Sequence, residues 1–219
     1  ASCIVITIAS RNRGQTSLET GQGLSSFIMD ERSIRIEKAS RLREQGINPY
    51  PYRFDRSHTI EQARALWPEG SVGDGPPIQL AGRLVAVRRM GKASFAQLED
   101  QDSRIQLHLT TDRCPDYALF KEFVDRGDIV GVHGTLFFTR TGELTVAVEA
   151  LALLSKAFQP LPEKYHGLRD LETMRRQRYL HLIVDADARH LFEKRSRAVS
   201  SARSFLDERG FLEVQTPTL

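Results

Sequence analysis

Cysteine is scarce in this chain. Cys3 and Cys114 are the only two in 219 residues, too few and too far apart for a disulfide scaffold or a metal cluster. Long apolar runs are missing as well. A stretch such as Ala150–Leu154 is far below the ~20 residues that a membrane-spanning helix needs. The expectation is a chain with no membrane segment in a reducing, cytoplasmic setting. The six histidines show no ligand spacing with Cys or carboxylates, so no metal site is expected. An excess of one charge sign is also missing. The net charge is +3 overall, with +1 over residues 1–28, zero over 29–75, −1 over 76–155 and +3 over 156–219. Any nucleic-acid binding must therefore rest on a few local contacts rather than on a broad cationic surface. Among the 31 basic residues 25 are Arg. Arginine has the planar fork that suits phosphates and base edges, although a GC-rich coding bias explains the excess equally well.

What is present divides the chain into blocks. Residues 1–28 open with an apolar run, Ala1–Ala9, and continue rich in Gly, Ser, Thr and Gln with one acid, Glu19. They are expected to be a disordered leader, and the Ser/Arg bias leaves organellar import open. Residues 29–77 read as a helical segment and linker. Ser33 can cap a helix in which Ile36, Ala39 and Leu42 recur at helical spacing before Gly46 stops it. Asn48–Tyr52 carries two prolines and cannot stay helical. A second helix spans about Thr59–Leu66, and Trp67, before Pro68, is a packing residue.

Residues 78–155 read as β-structure. Strands are expected over Ile78–Arg89, Ala93–Glu99, Arg104–Thr110, Ile129–Phe138 and Glu143–Leu154, with a helix over Tyr117–Arg126. Five strands with a helix after the third is the element order of the OB-fold, a small Greek-key barrel that often binds oligonucleotides. Alternation then sorts the faces. Ala96, Leu98, Leu144, Val146 and Val148 point inward, as do the apolar positions between Arg104 and Leu109. Phe95 shares the outer side with Gln97 and Glu99, and Arg104, Gln106, His108, Glu143 and Glu149 also face out. An aromatic ring beside amide and carboxylate groups is the chemistry of base stacking and base-edge reading. Asp100 and Asp102, next to Glu99, mark a hairpin turn, and Arg140 falls at a loop tip.

Three stretches carry a more specific likeness. Arg43–Pro51 (REQGINPYP), then Arg88–Phe95 (RRMGKASF) with Gly134–Phe137 and Thr141–Leu144, and then Leu161–Leu168 (LPEKYHGL) running into Arg176–Leu180 resemble the class II lysyl-tRNA synthetases in order and spacing over residues 30–219. The aspartyl and asparaginyl enzymes share the architecture without this hinge wording. Residues 156–188 resemble the family's hinge and 189–219 the start of its catalytic domain. There, an amphipathic helix over Arg189–Arg209 has Phe192, Val199 and Leu206 at heptad spacing. It is followed by Gly210, a strand over Phe211–Thr216, and Pro217. In this family such a motif 1 builds the dimer interface, so Phe192, Val199, Leu206, Gly210, Phe211 and Pro217 are its implied contacts.

The resemblance implies a mainly β chain with flanking helices (α+β), made of N-terminal helices, an OB-fold barrel, a hinge and the opening of a class II catalytic domain. It implies that Phe95 stacks on a central base of a U-rich lysine anticodon, with Gln106 and Glu143 on base edges, Arg88 nearby and Arg83 as a further contact. The parent enzyme would use ATP and Mg²⁺ and act as a homodimer. The sequence ends after motif 1, without the arginines of motifs 2 and 3. This chain by itself is therefore expected to bind tRNA, to carry no cofactor and no catalytic residue, and not to aminoacylate. Two other readings stay open: a free-standing OB-fold protein for single-stranded nucleic acid, and a dimerising interaction fragment.

Overall fold

A computed structural model describes residues 30–71, 73, 75–101, 103–162 and 170–215. The expected leader lies outside the described residues, as do Pro217 and most of the LPEKYHGL stretch. The element order is α1 (Glu31–Glu44), α2 (Ile60–Leu66), β1 (Pro77–Met90), β2 (Ala93–Asp100), β3 (Ser103–Thr110), α3 (Tyr117–Phe123), β4 (Ile129–Phe138), β5 (Leu144–Ser155), α4 (Leu171–Arg176), α5 (Arg178–Val184) and α6 (Ala186–Asp207). The five strands close into a barrel in the order β1-β2-β3-β5-β4, with β1 returning to pair with β4. Only the β3–β5 pairing is parallel, and α3 lies in the connection between β3 and β4. This is the OB-fold that the strand order implies.

Alternating apolar residues fill the barrel. Ile78, Leu80, Leu84, Leu98, Ile105, Leu107, Leu109, Val132, Leu136, Val146 and Val148 are all buried, and α3 adds Tyr117, Phe120 and Phe123 to the same core. Two irregularities bend the sheet shut. One is a register shift between Leu84 and Ala86 on β1. The other falls at His133/Gly134 on β4, where a Cβ on Gly134 would come within 2.1 Å of the Ala147 carbonyl oxygen. Only glycine fits that crossing.

The N-terminal helices dock beside the barrel. Thr59 caps α2 through its hydroxyl and Gln62 answers from N3, so the capping box is complete. The Ile60 amide donates to Asp100 Oδ2 at 2.9 Å, tying α2 to the β2–β3 turn. α1 begins at Glu31, two residues before the expected Ser33 cap. Its buried residues include Arg35, whereas Ile36 is only half-buried. The Arg35 guanidinium donates to the carbonyls of Arg126 and Ala157, each at 3.0 Å, and to Glu31. The sequence pattern alone favoured Ile36, because a fully buried guanidinium is tolerated only where carbonyls and a carboxylate meet its donors.

Beside it lies a buried ion cluster. Lys156 Nζ, with a fully buried side chain, donates to the Phe123 carbonyl at 2.7 Å, Asp125 Oδ2 at 2.5 Å and Asp128 Oδ2 at 2.8 Å. Lys38 of α1 completes Asp125 at 2.7 Å. Burial pushes the Asp128 carboxyl above the usual carboxylate range, against the pull of Lys156. Burial acts the same way on Asp125, but hydrogen bonds from Lys156 and Lys38 outweigh it and hold that carboxyl below the range.

Residues 156–188, read from sequence only as a hinge, contain α4 and α5. α6 begins at Ala186, three residues earlier than expected, because Asp185 caps it by accepting from the Ala188 amide. Gly210, at φ +78°, ends it with the Phe211 amide returning to the Leu206 carbonyl at 3.2 Å. The expected strand over Phe211–Thr216 is not found over residues 211–215. A strand needs a ladder partner, and within the described residues this stretch has none. α3 also stops at Phe123, before the expected Arg126, since the chain turns there to present Asp125 and Asp128 to Lys156. No helix of the described residues is long and apolar enough to cross a membrane.

Candidate nucleic-acid interface

On the outer face of β1, β2, β3 and the β4–β5 turn lies an open groove of about 550 Å³, lined by residues that include Arg88, Phe95, Gln97, Gln106, Arg140 and Glu143. Strand pairing builds it. Arg88 sits opposite Phe95 on β1–β2, Gln97 opposite Gln106 on β2–β3, and Gln106 opposite Thr145 on β3–β5. Four of the five sequence-predicted contacts, Phe95, Gln106, Glu143 and Arg88, are thus brought together on one face.

Arg83 is not among them. Its guanidinium donates to the Gly127 carbonyl at 2.7 Å, and burial pulls its pKa below the usual range against the opposing fields of Asp128 and Glu99. Arg83 pairs with Glu99 and Arg88 with Phe95, four residues apart on the same face of β2, so distance along the strand separates the two arginines. The register shift between Leu84 and Ala86 keeps Arg88 on the outward face beside Phe95, where unbroken alternation from Arg83 would turn it inward. Glu99, expected outside, is buried. Arg104 and Arg189 of α6 both pair with it, Arg189 at 3.2 Å. A helix more than eighty positions downstream covers what the alternation leaves exposed.

The polar groups in the groove are already oriented. Thr145 Oγ1 donates to Gln106 Oε1 at 2.9 Å, and Gln106 Nε2 donates to Glu143 Oε2 at 2.9 Å. Glu143 is fixed in turn at the β4–β5 turn, where its amide donates to Thr139 Oγ1 at 3.0 Å. The Gln106–Glu143 pair therefore presents one remaining amide N–H beside a carboxylate, a donor next to an acceptor. Arg88 and Arg140 are both exposed and supply cationic groups at the groove edge. The sequence placed Arg140 at a loop tip without assigning it to this site. His108, which the alternation put on the outer face but which was not read as a site residue, stacks on Phe95 with ring centroids 4.7 Å apart and 24° between planes. Trp67 packs against the core and lines a smaller hollow that also reaches Glu143.

The C-terminal helices expose apolar side chains. Leu191, Val199, Phe205, Leu206 and Phe211 are all exposed. Phe192, placed by the heptad pattern on the same stripe, is instead half-buried beneath the Arg178 guanidinium, 4.9 Å from its ring centroid.

Comparison with known proteins agrees with this division. Residues 78–154 match the family described as OB-fold nucleic acid binding domain, and residues 170–219 match tRNA synthetases class II (D, K and N). The chain is 46% identical over 192 residues to a lysine–tRNA ligase of Moorella thermoacetica, covering 87% of this chain and 38% of that protein. It is 46% identical over 188 residues to the lysine–tRNA ligase of Pelotomaculum thermopropionicum, covering 85% and 36%. With lysine–tRNA ligase 2 of Methanosarcina mazei it is 43% identical over 187 residues, covering 84% and 37%. The chain thus spans under two-fifths of the length of these relatives.

Proposed function

Because this chain joins a tRNA anticodon-binding OB domain to the N-terminal motif of a class II synthetase, as lysine–tRNA ligases do, we propose that its groove reads the anticodon arm of a lysine tRNA. The observation that carries the reading is the preset Gln106–Glu143 pair beside the Phe95 ring. A uracil offers a carbonyl acceptor next to its N3–H donor. Gln106 Nε2 can donate to the carbonyl while the Glu143 carboxylate accepts from N3–H. Cytosine would turn an N3 lone pair towards the carboxylate, which is repulsive. Phe95 supplies a stacking face, worth ~1–3 kcal/mol per base. Arg88 and Arg140 give the loop phosphates two cations without making binding strongly salt-dependent.

In the parent protein the same reading places ATP-dependent attachment of lysine to this tRNA, in the cytoplasm. Among the described residues no three His, Cys, Asp or Glu side chains converge to hold a metal ion. The homodimer implied by motif 1 would use the exposed face of α6 around Val199, Phe205 and Leu206.

The test is titration of the chain with a U-rich lysine anticodon hairpin and a scrambled one. Phe95→Ala is expected to weaken the U-rich hairpin roughly ten- to hundredfold. Gln106→Ala should cost more on that hairpin than on the scrambled one. Equal losses on both would favour the general single-strand binder.

A further inference from the structure

Phe95 is half-buried on the sheet face, and a single phenyl ring in that position can swing between staggered side-chain rotamers. It serves as a stacking platform only if something fixes its plane. The two strands place His108 directly across from it in the β2–β3 register, and the two rings stack at 4.7 Å. The groove is lined by Phe95 and not by His108, so the imidazole backs the ring from outside the groove. On its other flank His108 is bordered by Phe137, with centroids 6.1 Å apart. The residue paired with His108 on β5 is Ala147, small enough to leave room for both rings.

We infer that His108 is a positioning residue for Phe95, holding the phenyl plane on which an anticodon base stacks while touching no nucleotide itself. The inference rests on the groove reading proposed above. It explains why an imidazole suits this place. Burial, with a smaller contribution from Arg113, keeps its pKa below the ordinary histidine value. Near neutral pH the ring is therefore an uncharged aromatic surface and needs no counter-ion. The geometry is an offset stack of the kind that favours aromatic pairs.

The experiment is a double-mutant cycle on the full 219-residue chain, titrated with the U-rich lysine anticodon hairpin. His108→Ala is expected to weaken binding about three- to tenfold, the size of one aromatic pair, and His108→Phe to restore it to within about twofold. In the Phe95→Ala background, His108→Ala should cost nothing further, because no ring is left to hold. A merely structural role would give the same loss in both backgrounds, and that result overturns the inference, as does failure of His108→Phe to rescue. If Phe95→Ala leaves the wild-type affinity intact, the groove reading falls and this inference falls with it. If Phe95→Ala weakens binding and the His108 losses are additive, only this inference falls.

Discussion

The barrel and the helices after it handle apolar surface in opposite ways. In the barrel, nearly every inward residue of β1–β5 is buried, and Leu80, Leu84, Leu98, Leu107 and Leu136 are each at 0% exposure. In α4 and α5 no residue is buried, and in α6 only Ala188 is, while Leu191, Phe205 and Phe211 are each more than half exposed. A closed sheet satisfies its edges and its core within one chain segment. A helix with one apolar stripe must find a second surface. Residues 78–155 therefore contain what holds them together, and residues 186–215 are shaped for contacts that these residues do not supply. The N-terminal α1 is a third case, since it reaches the barrel through buried charge as well as through Leu42, which is buried in the barrel's own core.

The sharpest way to break this contrast is at that charged joint. Lys156→Ala would leave the fully buried Asp128 carboxylate without its cation, while Asp125 keeps Lys38, and should cost about 3–5 kcal/mol, read from urea unfolding followed by far-UV circular dichroism. A loss under about 1 kcal/mol would mean that the Lys156–Asp128 pair does not hold the cluster that Lys38 of α1 joins. Next is the core itself. Leu107→Ala, fully buried, should cost about 2–5 kcal/mol. Leu206→Ala, on the exposed α6 stripe, should stay within about 0.5 kcal/mol in the dilute monomer. Comparable losses would show that α6 is already buried by a partner under those conditions, which sedimentation velocity would reveal. The smallest expected effect sharpens the joint by pH. The Asp125 carboxyl is held below its ordinary range by Lys156 and Lys38. Its contribution is complete above the unfolded value of about 4 and is lost as the pH falls through the lower folded value. Asp128, pushed the other way by burial, gains a proton earlier and does not oppose unfolding in the same direction. The stability gap between the wild type and Asp125→Asn should therefore be full at neutral pH, begin to shrink below about pH 4 and close only below the lower folded value. A gap unchanged with pH would remove Asp125 from the joint.

The strands were legible because a period of two is written directly in the residues. Ile105, Leu107 and Leu109 face in while Gln106 and His108 face out, and five such runs around one helix define the barrel order. The groove was legible for the same reason, since Phe95, Gln106 and Glu143 lie on the outward phase of neighbouring strands. Arg83 lies on the same outward phase but opposite Glu99, at the end of β2 that α6 covers and where the Gly127 carbonyl takes its guanidinium, and no local pattern marks that cover. The second helix was read from Thr59 onward, whereas the reciprocal Thr59–Gln62 capping box that starts it came only with the structure. The backing of Phe95 by His108 was not legible, because register between strands, rather than sequence, sets which ring meets which.

The sequence by itself determined the barrel strands, their inward faces, and the stacking ring beside an amide and a carboxylate, because those depend on neighbours one to four positions away. Only the tertiary structure decided which charges are buried. Arg35 finds its carbonyls at Arg126 and Ala157, Lys156 its carboxylates at Asp125 and Asp128, and Glu99 its guanidinium at Arg189. A charged group can leave water only where distant chain segments converge to replace every lost hydrogen bond, and that convergence exists only once the barrel has closed.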